Sequence, residues 1–234
     1  MKMILQKAIA ESGYCSRRKA EELIRNGKVE INGSPAFIGE QADPEKDKIT
    51  IQGHLLSKPE KKIYLMLNKP LDYTCTNRRF PNEKNVFDLV NLPNRLFTIG
   101  RLDKNSRGLI LLTNDGDLAQ KLSHPKFGHY KEYEVKIKAE NINPSLIVKK
   151  FSEGVDLGEG DTYVKVIKIK YLQNKIFRIT LGEGKKRQIR RMFAALGAKV
   201  VNLKRISFSG LTLDNLPEGK WRYLNEEEIK KLKS

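Results

Sequence analysis

The stretch Gly100 to Gly116, G-R-L-D-K-N-S-R-G-L-I-L-L-T-N-D-G, carries the residues best placed to do chemistry. It sets one carboxylate, Asp103, beside one cation, Arg101, in a glycine-led turn that runs into the apolar Leu109 to Leu112. A carboxylate entering a core can act as nucleophile or general base; the same pair also makes a structural cap or a salt bridge. Further on, the glycine-bounded G-E-G-K-K-R-Q-I-R-R-M-F-A-A-L-G opens a helix with apolar positions at Ile189, Phe193 and Leu196. Arg187, Arg190 and Arg191 share another face of it at i, i+3 and i+4, a spacing that suits a phosphate contact or a site residue. Near the start, Arg17, Arg18 and Lys19 open a helix that Arg25 and Lys28 close, leaving a basic face on which a phosphate backbone fits.

The totals agree with an anionic partner. The chain has 234 residues, 45 Lys and Arg against 28 Asp and Glu, a net charge of +17 and a pI near 9.8. On a globular composition this points first to nucleic acid and second to a solvated lysine-rich surface. The basic residues alternate with strand formers and do not line one long amphipathic helix, which argues against membrane-surface binding. Cys15 and Cys75 have no His or Cys neighbours at ligand spacing, so no zinc site or disulfide framework is expected. No stretch approaches the roughly 20 apolar residues of a membrane span, and no leader pattern opens the chain; a cytoplasmic protein is expected.

The elements that must position these groups fall into two domains, with a charged linker at Pro59, Glu60, Lys61 and Lys62. The expectation is residues 1–58, a linker 59–62, and residues 63–234. In the first, Leu5, Ala8 and Ile9 mark a helix ended near Gly13, and Ser16 caps a second one carrying Ala20, Leu23 and Ile24. Strands are predicted at 29–31, 36–38 and 49–51, with Asn32-Gly33 as a two-residue hairpin turn. In the second, strands are predicted at 63–68, 96–99, 108–113, 131–138, 162–172, 176–181, 200–203 and 221–224. Helices fit 86–90, the Leu118/Leu122 region, the segment opened by Asn143-Pro144, and a last one capped by Asn225 and Glu228. Alternation along 131–138 puts Tyr133, Val135 and Ile137 on one face, aiming Tyr133 inward or into a cleft. Hairpins with short helices between them and no βαβ repeat give an α+β class with a mainly antiparallel mixed sheet. His54, His124 and His129 are scattered and read as structural or phosphate-contacting.

The first domain, through S-R-R-K-A-E-E-L-I-R-N-G-K-V-E-I-N-G, resembles the small RNA-binding domain named after a ribosomal small-subunit protein, the S-four-type domain. The chain as a whole resembles the pseudouridine synthases of the ribosomal-RNA branch that carries this domain in front. The motifs are L-N-K-P at Leu67 to Pro70, the Gly100 to Gly116 stretch, K-E-Y at Lys131 to Tyr133, and G-K-K-R-Q-I-R-R-M-F at Gly184 to Phe193. The resemblance implies that Asp103 is the catalytic aspartate, Tyr133 the residue stacking on the target base, Arg190 the basic partner of the aspartate, and Arg101 the arginine filling the gap left by a flipped base. It also implies RNA contacts at Lys69, Lys185, Arg187 and Arg191 in this domain, beside Arg17, Arg18, Lys19, Arg25 and Lys28 in the small one. The implied partner is ribosomal RNA, as a stem-loop or an assembly intermediate, acted on by a monomer with no cofactor or metal.

Where the family often has glycine two residues after the proline of its K-P motif, Asp72 stands, which bears on the conformation of the 70–85 loop. Arg187 before Gln188, where small-subunit-modifying members tend to have histidine, leans the target toward large-subunit RNA, with small-subunit RNA the alternative. Whether Asp103 attacks the sugar or removes a proton stays open. Two rival readings also stay open: a non-enzymatic RNA chaperone, and a glycosidase-like hydrolase with Asp115 or Asp117 as second carboxylate.

Overall fold

In the computed structural model, which describes residues 1–123, 128–141, 143–158 and 163–234, elements begin where the sequence offers a cap or a turn. Contacts divide the chain into one unit of Met1–Ile63 with Leu92–Phe97 and another of Tyr64–Asn91 with Thr98–Ser234. In the first, β1 (Met3–Ile4) leads into α1 (Leu5–Glu11) and α2 (Arg17–Arg25), followed by β2 (Val29–Ile31), β3 (Ser34–Pro35), β4 (Gln41–Ala42), β5 (Ile49–Ile51) and β6 (His54–Leu55). The Ser16 side chain accepts from the Lys19 amide and starts α2. Asn32 and Gly33, both at positive φ, turn β2 onto β3. Leu5, Ile9, Ala20, Ile24, Val29 and Ile51 fill the core.

One expected strand moved. Residues 36–38 are not a strand; Ser34–Pro35 is. Phe37 and Glu40 close a turn on each other, the Phe37 amide donating to the Glu40 carboxylate and the Glu40 amide to the Phe37 carbonyl. That turn, with Gly39 at φ +87°, lifts the chain out of the ladder.

The second unit runs β7 (Tyr64–Lys69), β8 (Tyr73–Thr74), β9 (Lys84–Asn85), a 3₁₀ turn Val86–Asp88, β10 (Phe97–Ile99), β11 (Arg107–Thr113), α3 (Gly116–Ser123), β12 (Lys131–Lys138), α4 (Pro144–Glu153), β13 (Val155–Asp156) and β14 (Tyr163–Val164). It continues with β15 (Lys168–Gln173), β16 (Ile176–Leu181), α5 (Gln188–Ala195), β17 (Lys199–Phe208), β18 (Leu211–Thr212), β19 (Trp221–Tyr223) and α6 (Glu226–Lys233). The main sheet has the order β15-β16-β12-β17-β11-β7-β19. Along that path only β11 with β17 is parallel, so the mainly antiparallel mixed sheet expected of the sequence is the sheet observed. His124 and the Thr162 start of the expected 162–172 strand lie outside the described residues; β15 begins at Lys168.

Leu109 to Leu112 form a continuous apolar run because β11 lies inside the sheet and both its faces are covered. Leu109 and Leu111, with Tyr64 and Met66, pack on Leu118 and Leu122 of α3 and Leu232 of α6. Elsewhere in this unit the Phe151 and Phe177 rings lie 4.8 and 5.4 Å from Phe193, tying α4 and β16 to α5. Full burial of each of these rings contributes on the order of 1.5–3 kcal/mol.

Candidate active site

The loop between β10 and β11 carries Asp103. Gly100 turns the chain at φ +67°, Leu102 is buried, and Asp103 is exposed, its carbonyl accepting from the Ser106 amide at 3.0 Å. Three devices from outside the loop hold three of its other carbonyls, those of Lys104, Asn105 and Ser106. Lys69, at the end of β7, donates its ammonium to Ser106 O at 2.6 Å, Pro70 O at 2.9 Å and Lys104 O at 3.4 Å. The Asp72 amide donates to Lys104 O at 2.8 Å. Arg190 Nη2 donates to Asn105 O at 2.6 Å. The backbone is thus fixed while the Asp103 carboxylate has no hydrogen-bond or ion-pair partner among the described residues. The carboxylate is thus held on a fixed backbone with its own oxygens left to a ligand.

Asp72 adopts φ +66°, the conformation a glycine would supply at the place where the family often has one. Asp is among the few side chains that tolerate it. The aspartate therefore takes up, at residue 72, a backbone conformation open to glycine.

Two strands then bring the other side of the site. Gly108 of β11 pairs with Arg205 of β17 at φ +107°, so closely that a Cβ there would lie 2.2 Å from the Arg205 carbonyl oxygen. Next to it, Tyr133 on β12 stands between Ile179 and Arg205, beside a bulge in the β12–β17 register at Glu132/Tyr133. Bulges of this kind re-aim a side chain next to a site. Tyr133 is 8% exposed and, with Asp103, lines a cleft of about 640 Å³.

Five cations, Arg101, Lys104, Lys185, Lys186 and Arg187, line the same cleft, and among its described lining residues Asp103 is the one carboxylate. Cys75 also lines it, but burial pushes its thiol up, so it sits there protonated and not as a nucleophile. Asp115 accepts from the Tyr64 hydroxyl at 2.7 Å and caps α3 through the Leu118 amide at 3.1 Å. With Asp117 in the first turn of the same helix and neither acid lining the cleft, the glycosidase-like reading loses its second carboxylate.

Several expected site residues are placed differently. Lys69 is 0% exposed and its ammonium is consumed by carbonyls, so it is an internal strut and not an RNA contact; a cation with no surface cannot reach a phosphate. Arg190 is bonded to Asn105 O and, at 2.9 Å, to Val200 O; among the described residues it forms no ion pair with Asp103. Burial and then the Arg187 charge pull its pKa down, while Asp103 is near enough to oppose them. Arg187 does not share the α5 face with its neighbours: it is the residue before α5, in the left-handed region at φ +51°, with its guanidinium 3.4 Å from Asn105 Oδ1. Arg191 donates to Leu157 O at 3.1 Å. Arg17, Arg18, Lys19, Arg25 and Lys28 are all exposed on the first unit, Lys19 paired with Glu22 at 2.7 Å.

Sequence reasoning missed two groups. Gln188 staples the loop before α5, accepting from the Lys185 amide and donating to Glu183. Arg205 is 1% exposed inside β17; continuing the Val200-to-Leu203 strand by one more inward position would have found it.

A family profile described as RNA pseudouridylate synthase matches residues 63–195, and one described as S4 domain matches residues 5–41. Over 235 residues the chain is 40% identical to a Ribosomal large subunit pseudouridine synthase B of Bacillus subtilis (strain 168), covering 98% of this chain and 95% of that protein. Over 229 residues it is 39% identical to the Dual-specificity RNA pseudouridine synthase RluF of Escherichia coli (strain K12), covering 96% and 76%. Among solved structures, one described as a pseudouridylate synthase matches with a TM-score of 0.71 and 35% identity, covering 98% of this chain and 99% of that one.

Proposed function

The chain belongs to the RNA pseudouridylate synthase family and is an RNA pseudouridine synthase; from that premise we propose that it isomerises one uridine of ribosomal RNA, in the large subunit, with Asp103 as the reacting group. The observation that carries the assignment is the cleft itself: one carboxylate, unpaired among the described residues, lines it together with a tyrosine and five cations.

In this reading the target uridine is flipped out and its ring lies on Tyr133, which replaces roughly 1–3 kcal/mol of lost stacking. Arg101, exposed at the mouth of the cleft, fills the space left in the RNA. The bond from C1′ to N1 breaks, the uracil turns over, and C1′ joins C5. The C5 hydrogen leaves to solvent and N1 takes a proton, so nothing is oxidised or reduced. Asp103 serves as nucleophile toward C1′ or as base toward the neighbouring sugar proton, and both roles use it as the carboxylate. Arg190 acts first through Asn105, by holding the loop that carries Asp103. The S4 domain's basic face, Arg17, Arg18, Lys19, Arg25 and Lys28, docks on phosphates.

The lean to the large subunit rests on Arg187 before Gln188 and on the Bacillus subtilis relative, whose name states that substrate. Incubating the protein with ribosomal RNA tritiated at uracil C5 tests it. Label should be released from large-subunit RNA and not from small-subunit RNA; release from the small subunit alone would overturn the target, and release from neither would overturn the proposal.

A further inference from the structure

Beside the catalytic cleft lies a smaller cavity of about 180 Å³, sharing with it Gly100, Arg101, Tyr133 and Gly184. Its other walls include Lys131, Arg205 and Phe208. Arg205 is held in place by its Nε, which donates to Leu109 O at 2.6 Å, and its guanidinium carbon lies 5.3 Å from the centre of the Phe208 ring. Lys131 Nζ lies over the same ring at 6.0 Å. Two cations therefore share one aromatic ring, a contact that offsets only part of the cost of desolvating them.

What this pair lacks is a counter-charge. Arg205 is 1% exposed, and its Nη2 is buried with no acceptor among the described residues. No carboxylate lies within ion-pair distance of either cation among the described residues, and Glu183, the acid on the cavity wall, has an oxygen already engaged by Gln188 Nε2 at 3.0 Å. A buried charge left unpaired is costly, and two like charges facing each other more so. Burial and the Arg205 charge hold Lys131 below the ordinary lysine value, with Glu183 opposing them.

We propose that this cavity is an anion site that takes a backbone phosphate flanking the flipped uridine, with Lys131 as the contact and Arg205 as the fixed positive charge behind it. The shared wall at Tyr133 puts the phosphate next to the nucleotide whose ring lies on that tyrosine, so the inference rests on the RNA substrate proposed above. A neutral uracil edge would leave the two charges uncompensated, whereas a phosphate supplies what is missing. Arg205 is a positioning residue: its Nη2 is sealed from solvent and acts through the field at Lys131.

The test uses the full-length protein and a large-subunit ribosomal RNA transcript, comparing wild type, Lys131→Met and Lys131→Arg, each checked for folding by thermal melting. Filter binding over a salt series and tritium release at varied RNA concentration are the readouts. Lys131→Met is expected to weaken RNA binding roughly tenfold and to make the slope of log affinity against log salt shallower by about 0.7. KM should rise while kcat stays within a few-fold, and Lys131→Arg should restore most of the binding. Unchanged affinity overturns the proposal. Weakened affinity with the salt slope intact also overturns it, since the cavity would then hold a base edge. A fall in kcat with affinity intact does the same, by making Lys131 part of the chemistry. Lys131→Gln carries the same expectations should Lys131→Met fail to fold. Failure of the wild type to release label would count against the proposed function, while the binding arm still reads the phosphate site.

Discussion

A lysine with no exposed surface must satisfy its ammonium with oxygens of the fold, and Lys69 does so with three carbonyls, two of them in the loop that carries Asp103. Removing the ammonium takes a buried donor away from those carbonyls, of which Lys104 O still keeps the Asp72 amide. Lys69→Met is therefore expected to cost about 2–4 kcal/mol of stability in urea denaturation. The salt slope of RNA binding should stay as in the wild type, because no phosphate contact is lost; a shallower slope would restore Lys69 to the RNA surface. Sequence pattern cannot separate these roles, since Y-L-M-L-N-K reads as a buried strand ending in a charge that ordinarily snorkels to water. The loop that carries Asp103 was legible for the opposite reason. Its setting is local, a glycine-led turn feeding an apolar run, whereas the uses of Lys69, Arg190 and Arg205 depend on partners about 35, 85 and 96 residues away in the chain.

Elements whose ends are written by capping chemistry were the most legible. Ser16, Asn143-Pro144 and the Asn225/Glu228 box start α2, α4 and α6 as the sequence predicts. In the last of these, Glu228 also takes both nitrogens of Arg222 at 2.7 Å, and this hydrogen-bonded cation holds its carboxyl below the ordinary value. A depressed carboxylate stabilises the fold above its unfolded-state pKa, and that contribution disappears as pH falls through the folded-state value. Glu228→Gln should accordingly cost about 1–2 kcal/mol near neutral pH. The difference from wild type should shrink below pH ~4; a pH-independent difference would place the effect in packing and not in the ion pair. The β11–β17 contact was not legible in the sequence, because a glycine at 108 reads as a strand irregularity until its partner is known. With a Cβ there 2.2 Å from the Arg205 carbonyl, Gly108→Ala is expected to lower stability by at least about 3 kcal/mol. A variant that melts with the wild type would show that the strands can part without cost.

Across the whole chain, the net charge of +17 leads us to expect RNA affinity to be a property of many weak phosphate contacts spread over both units. The exposed Arg17 and Arg18 of the S4 domain should contribute to affinity without touching the reaction. Replacing both with Gln should flatten the salt slope by roughly 1.4 in total. It should also raise KM in label-release assays while leaving kcat within a few-fold; a loss of kcat at saturating RNA would contradict that division of labour. The proposal that the chemistry is concentrated at Asp103, a carboxylate unpaired among the described residues, is the claim the rest depends on. It is tested most directly by Asp103→Asn, measured as tritium released from C5-labelled ribosomal RNA beside RNA affinity in the same buffer. No detectable release with affinity within a few-fold of wild type is the expected result, and turnover retained by the folded variant would contradict the account.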